Sequence, residues 1–297
     1  MGLMQGVSAP QLTPIRPDGS VDYDRYSLLS DRLARGGIQG IFVCGTTGEF
    51  ANMTAEERRQ LLPAARNGAG KAVRLMYNVT ALNLQDIRMY IEWAKKQGAD
   101  CLSVTPPYYH SYDAQTLIGY FRAAAEIAEG MPVYLYNIPG MAKNPITPPI
   151  LRAVLEKCGN VCGLKDSSMD FQTFLEFRLA AQDKPDFELI TGNDAQVLAA
   201  LQYGGAGGVI ALAGVFPELC ESVYSLWQAG KIREARDAQD TVLKLRSLVR
   251  RIMPVMAHKE ILRLLGFDMG PARFPFRELN EGEKAEIKNT LVQLGLL

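Results

Sequence analysis

Residues 132–168 read PVYLYNIPGMAKNPITPPILRAVLEKCGNVCGLKDSS. Pro132 to Tyr136 is short and nearly all apolar, as a strand is when both faces of a parallel sheet are buried. A proline-punctuated turn follows. Thr147 then stands where an N-cap belongs, before a helical run from Pro148 to Glu156. Val161 to Leu164 is a second apolar strand, and it runs straight into Lys165-Asp166-Ser167-Ser168. The segment is one strand–helix–strand unit with a lysine at the carboxyl end of its second strand.

The same unit recurs in both directions. Upstream, the strand-like runs are Val7–Leu12, Gly40–Cys44, Ala72–Tyr77 and Cys101–Val104, and their helices are Tyr23–Arg35, Ala55–Asn67, Leu84–Gln97 and Ala114–Ala128. Thr54 and Glu57 form a capping-box pattern before the second helix. Downstream, the helix Phe171–Ala181 precedes the strand Phe187–Ile190. Helix Ala195–Tyr203, strand Gly207–Ala211 and helix Pro217–Ala229 complete the series. Eight units in about 230 residues approach the usual size of a (β/α)8 TIM barrel. An open doubly wound sheet is the alternative, but eight units without a break in composition favour closure. The tail reads as helices Ile232–Ile252, Val255–Leu265 and Glu281–Leu294. The expected organisation is a catalytic barrel over residues 1–230 and a C-terminal helical segment, 231–297, packed on it.

Composition narrows the function classes. The chain has 297 residues, 47% hydrophobic and 22% charged, with 32 Lys plus Arg against 32 Asp plus Glu. Zero formal net charge gives no general electrostatic pull toward nucleic acid or anionic membrane. No apolar run approaches a bilayer span, and the first ten residues lack the pattern of a signal peptide. Five loosely spaced cysteines, Cys44, Cys101, Cys158, Cys162 and Cys220, read as reduced thiols in a cytoplasmic protein. Neither a His-Glu-x-x-His motif nor a ligand cluster suggests a metal.

In a (β/α)8 barrel the carboxyl ends of the strands build the active site. Lys165 is the outlier there, because burial disfavours a charged amine and a neutral amine adds to carbonyls as a Schiff base. The plain alternative is a strand-end lysine paired with Asp166. Tyr136 ends the neighbouring strand, where a phenol can move protons for such chemistry or simply wedge the barrel. Gly45-Thr46-Thr47-Gly48 offers hydroxyls and backbone N–H groups to a small carboxylate, or is an ordinary βα turn. His110 lies in the loop after the fourth strand, and His258 reads as structural. Gly204 to Gly208 precedes the eighth strand and reads as tight packing.

Taken together, Gly45-Thr46-Thr47-Gly48-Glu49, Pro107-Tyr108-Tyr109, Tyr136-Asn137-Ile138-Pro139, Gly163-Leu164-Lys165-Asp166-Ser167-Ser168 and the tail segment Lys259-Glu260-Ile261-Leu262 resemble the dihydrodipicolinate synthase / N-acetylneuraminate lyase family of class I aldolases. The resemblance spans the chain. It implies that Lys165 forms the Schiff base with pyruvate and that Tyr136 shuttles protons. It implies further that Thr46 and Thr47 hold the substrate carboxylate beside Gly48 and relay protons to Tyr136, and that Tyr109 reaches across a dimer interface to complete that catalytic relay. A homotetramer, a dimer of dimers, needing no metal or organic cofactor is expected, with a 2-oxo acid and an aldehyde as its small-molecule partners.

Departures from the family pattern bear on the substrate. Met141 stands where synthases carry an arginine for the second substrate's carboxylate, and Ala211 stands where neuraminate lyases carry a serine. Asn193 and Asp194 remain as polar contacts for a hydroxylated chain. The expectation is an aldolase of 2-keto-3-deoxy sugar acids or similar hydroxy-oxo acids. Dihydrodipicolinate synthesis, a 2-keto-3-deoxy acid dehydratase and a non-catalytic oxo-acid binder are the alternatives.

Overall fold

The computed structural model describes residues 2–297. Eight short strands run parallel: β1 (Gly6–Pro10), β2 (Gly40–Val43), β3 (Arg74–Asn78), β4 (Cys101–Val104), β5 (Val133–Asn137), β6 (Val161–Asp166), β7 (Glu188–Thr191) and β8 (Gly207–Val209). Each pairs with the next, and β8 returns to β1, so the sheet closes into a barrel and the open alternative falls away.

The alternation of side chains along each strand divides the core in two. Along β5, Tyr134 and Tyr136 turn inward and join Phe42, Met76, Cys101, Ile190 and Val209 in the barrel interior. Val133 and Leu135 turn outward into the larger layer beneath the helices. That outer layer is closed by α1 (Tyr23–Arg35), α2 (Ala55–Ala69), α3 (Leu84–Lys96), α4 (Ala114–Ala128), α5 (Pro139–Ala142), α6 (Pro148–Leu155), α7 (Phe171–Ala180), α8 (Val197–Gln202) and α9 (Pro217–Gln228). Thr54 and Glu57 make the reciprocal capping box that starts α2, a device that stabilises a helix by about 1 kcal/mol.

Most element ends shift by one or two residues from the sequence reading, and three differences bear on the site. Strand β6 continues past Leu164 to Asp166, because Lys165 and Asp166 still find partners on both sides, in β5 and β7. Strand β8 stops at Val209, and Ala211 opens a 3-10 turn instead of ending a strand. The Asp194 carboxylate holds that turn by accepting from Leu212 N at 2.8 Å. The short helix α5 lies in what reads as a loop. Pro139 at its first turn is the signal.

The tail forms α10 (Ile232–Arg251), α11 (Pro254–Leu264) and α12 (Glu281–Gln293). It reaches the loops at the carboxyl ends of the strands. Gln239 of α10 donates to Asp194 O at 2.8 Å and accepts from Leu198 N. Lys259 of α11 meets Glu49, in the loop after β2, at 2.7 Å.

His258, beside Lys259, is buried with its Nδ1 2.6 Å from Pro254 O. Burial holds its imidazole below the usual histidine range, against the opposing pull of Asp194 and the Pro254 carbonyl. A lowered folded-state value means the stabilising contribution is complete above the unfolded value and drains away as pH falls. The denaturant midpoint should therefore drop as pH falls below about 6.5. A His258→Phe protein should show a flatter profile over that window. An unchanged slope would assign the acid sensitivity elsewhere.

Candidate active site

Strands β5 and β6 are in register at Tyr136 opposite Lys165. Both side chains therefore enter the barrel at one level, and each is only 3% exposed. Lys165 Nζ lies 4.1 Å from the centroid of the Tyr136 ring and 4.8 Å from that of Phe42. Among the described residues no carboxylate comes within 4.0 Å of this amine. The expected alternative, an ion pair with Asp166, is absent because consecutive strand residues face opposite ways.

Asp166 lies instead on the outer face, where it accepts from Asn137 Nδ2 at 2.8 Å, Ser168 N at 3.1 Å and Ser168 Oγ at 2.8 Å. Burial raises its carboxyl above the usual range, against those hydrogen bonds. Asn137 in turn accepts from Ile146 N at 2.9 Å. The residues immediately following Tyr136 and Lys165 thus tie the two strand ends together from behind. Gly192 clears the remaining space: a Cβ there would fall 1.9 Å from Ser167 Oγ and 3.0 Å from Lys165 Cε.

The turn after β2 stands next to this pair. It begins and ends on left-handed residues, Cys44 at φ 61° and Glu49 at φ 63°. Gly45 sits against Phe42, where a Cβ would approach the ring to 2.7 Å, so one aromatic ring touches both the turn and the amine's slot. Glu49 N donates to Thr46 O at 3.0 Å, and Thr13 Oγ1 donates to Gly48 O at 2.9 Å. A side chain at Gly48 would collide with Gln11 O at 2.8 Å. Thr46 and Thr47 are half-buried, and neither hydroxyl makes a hydrogen bond among the described residues. Both remain free to donate to a ligand.

A family model, the dihydrodipicolinate synthetase family, matches residues 3–294. The chain belongs to the dihydrodipicolinate synthetase family. It is 32% identical over 294 residues to a DapA-like lyase of Halobacterium salinarum, covering 99% of this chain and 95% of that one. It is 32% identical over 289 residues to a 4-hydroxy-tetrahydrodipicolinate synthase of Prochlorococcus marinus, covering 96% and 94%. Among solved structures it resembles YagE, a prophage protein of E. coli K12 in complex with pyruvate. That match has a TM-score of 0.95 and 27% identity, with both chains fully covered. The family's members are carbon–carbon lyases acting through a Schiff base with pyruvate, and this member is one of them.

The other residues singled out in the sequence are spread around the mouth of this family member's barrel. Tyr109 follows β4 in a left-handed conformation and is 77% exposed, outside the barrel. Met141, on α5, is 72% exposed and borders a hollow of about 190 Å³ lined by Thr46, Phe50, Thr105, Tyr108 and Ile138. Among the described residues no charged side chain lines that hollow. Asn193 is buried, with its carbonyl oxygen accepting from Ala195 N at 3.2 Å and no hydrogen bond from its Nδ2 among the described residues. Asp194 and Ala211 are joined through the turn that begins at Ala211.

The thiols offer no rival nucleophile. Burial pushes those of Cys44, Cys101 and Cys220 up, and that of Cys162 to about 12. All five cysteines are unpaired. Among the described residues no three His, Cys, Asp or Glu side chains gather as a metal-binding group, and no helix is long and apolar enough to cross a membrane.

Sequence reasoning assigned no roles to Phe42, Asn137, Gly192 or the Glu49–Lys259 pair, and it gave Asp166 only as a partner for Lys165. Asn137 and Asp166 each follow a residue that was singled out, so the two-residue period of a strand places them together on the opposite face. Phe42 and Gly192 carry no such signal. Their importance appears only when β2 and β7 close around β6.

Proposed function

We propose that this enzyme makes and breaks the C3–C4 bond of a 2-keto-3-deoxy sugar acid or similar hydroxy-oxo acid, with pyruvate as one product. The observation that carries the reading is the buried amine of Lys165, set against Tyr136 with no carboxylate partner. In this reading Lys165 attacks the C2 carbonyl and water leaves, giving an imine that acts as an electron sink. Tyr136, with Thr47, takes the proton from the C4 hydroxyl as the C3–C4 bonding electrons move toward the imine nitrogen. An aldehyde departs, C3 of the remaining enamine is protonated, and water returns pyruvate and the free amine. Thr46, Thr47 and the backbone beside Gly48 hold the carboxylate. Tyr109 joins the relay only from a second copy of the chain, since its own side chain faces outward. That arrangement suits the homotetramer expected from the resemblance, and the unpaired cysteines suit a cytoplasmic setting.

Met141 supports a neutral, hydroxylated aldehyde over a charged one. A thioether cannot replace the paired N–H donors of a guanidinium on a carboxylate. Asn193 and Asp194 would meet the sugar hydroxyls, and Ala211 leaves no hydroxyl for a sialic acid tail. The second reading is dihydrodipicolinate synthesis, favoured by the names of relatives such as the Prochlorococcus marinus synthase. Pyruvate condensation should be measured against a panel of hydroxyaldehydes and aspartate semialdehyde. The expected kcat/KM for the best hydroxyaldehyde is at least about tenfold above that for aspartate semialdehyde, the scale of one missing charged contact. The reverse order would contradict the sugar-acid reading and support the synthase.

A further inference from the structure

Glu49 and Lys259 come from distant parts of the chain and meet in the interior, with side chains 1% and 3% exposed and 2.7 Å apart. The contact is a bare ion pair. Neither carboxylate oxygen of Glu49 nor the Lys259 amine makes an aligned hydrogen bond with any described residue. A buried pair of this kind is a poor source of net stability, because desolvation of the two charges opposes their attraction. Its position is more informative. Glu49 closes the Thr46–Gly48 turn, its N–H donating to Thr46 O at 3.0 Å. It does so in a left-handed conformation that a residue with a side chain adopts reluctantly. The turn is also held from the segment after β1, through Thr13 Oγ1 on Gly48 O. Lys259 anchors its other end from the tail.

We propose that Lys259 is a positioning residue for the carboxylate-holding turn. By fixing Glu49 it sets where the Thr46 and Thr47 hydroxyls stand relative to Lys165, so the C-terminal segment completes the oxo-acid site without touching substrate. This rests on the reading that Thr46 and Thr47 bind the 2-oxo acid's carboxylate.

The test is a pyruvate titration of borohydride-trapped adduct on Lys165, read by intact mass, in wild type, Lys259→Met and Lys259→Arg. Lys259→Met should raise the half-saturating pyruvate concentration about tenfold or more, as small misplacements of binding groups do. The adduct yield at saturation should not change, and Lys259→Arg should recover part of the affinity. If Lys259→Met does not fold, the neutral double variant Glu49→Gln/Lys259→Met, which leaves no buried charge unpaired, takes its place with the same expectation. A folded variant with wild-type half-saturation overturns the positioning role. Failure of wild type to trap pyruvate on Lys165 would instead overturn the Schiff-base reading on which it rests.

Discussion

A Lys165→Met enzyme is expected to lose at least about ten-thousandfold in turnover while remaining folded, because the covalent route disappears with its nucleophile. The structural half of this prediction discriminates as sharply as the kinetic half. Lys165 lies on the faces of Phe42 and Tyr136 with no carboxylate attached. A methionine of similar length fills that slot and orphans no anion. The melting temperature should therefore stay level or rise. Had Lys165 been the buried partner of Asp166, the same substitution would strand a charge and cost about 3–5 kcal/mol. Steady-state turnover and a thermal melt on one preparation check both halves. Retained turnover, or a protein that unfolds near room temperature, would refute this account of Lys165.

A Tyr136→Phe enzyme should lose about a hundred- to ten-thousandfold in kcat, the usual worth of a positioned proton-transfer group. Here too the fold is protected. The ring meets Phe42 edge-on at 5.7 Å, and the amine lies over its face. Both contacts survive loss of the hydroxyl. Pyruvate should still be captured on Lys165, more slowly, so single-turnover trapping separates a slowed proton transfer from a lost site. A variant within about threefold of wild type in kcat would leave Tyr136 as packing and move the proton relay elsewhere.

The sequence carried the barrel because every unit repeats one local grammar: an apolar strand, a capped amphipathic helix and a glycine- or aspartate-bearing return. Lys165 stood out for a local reason as well, since a cation that ends an apolar run needs explaining. Its extra pairing inside β6 did not stand out. Continuation of a strand depends on what the neighbours offer, and Tyr136 and Ile190 belong to other units. The Asp166 alternative was open in the sequence for the same reason. Adjacency along the chain suggests contact, whereas the pleat sends the two side chains apart.

The Glu49–Lys259 contact shows the limit most clearly. Nothing in either local segment foretells a pair so distant along the chain, because closure of the barrel and docking of α11 on its mouth bring them together. Both residues stand in segments that carry the family resemblance, but neither segment says that they meet. Their burial, which makes them consequential, is a property of the assembled fold.

The most direct measurement is borohydride reduction of the wild-type enzyme with pyruvate, followed by peptide mapping of the modified lysine. One reduced pyruvyl adduct per chain, confined to Lys165, is the expected result. An unmodified chain, or an adduct scattered over surface lysines while Lys165 stays free, would contradict the central claim.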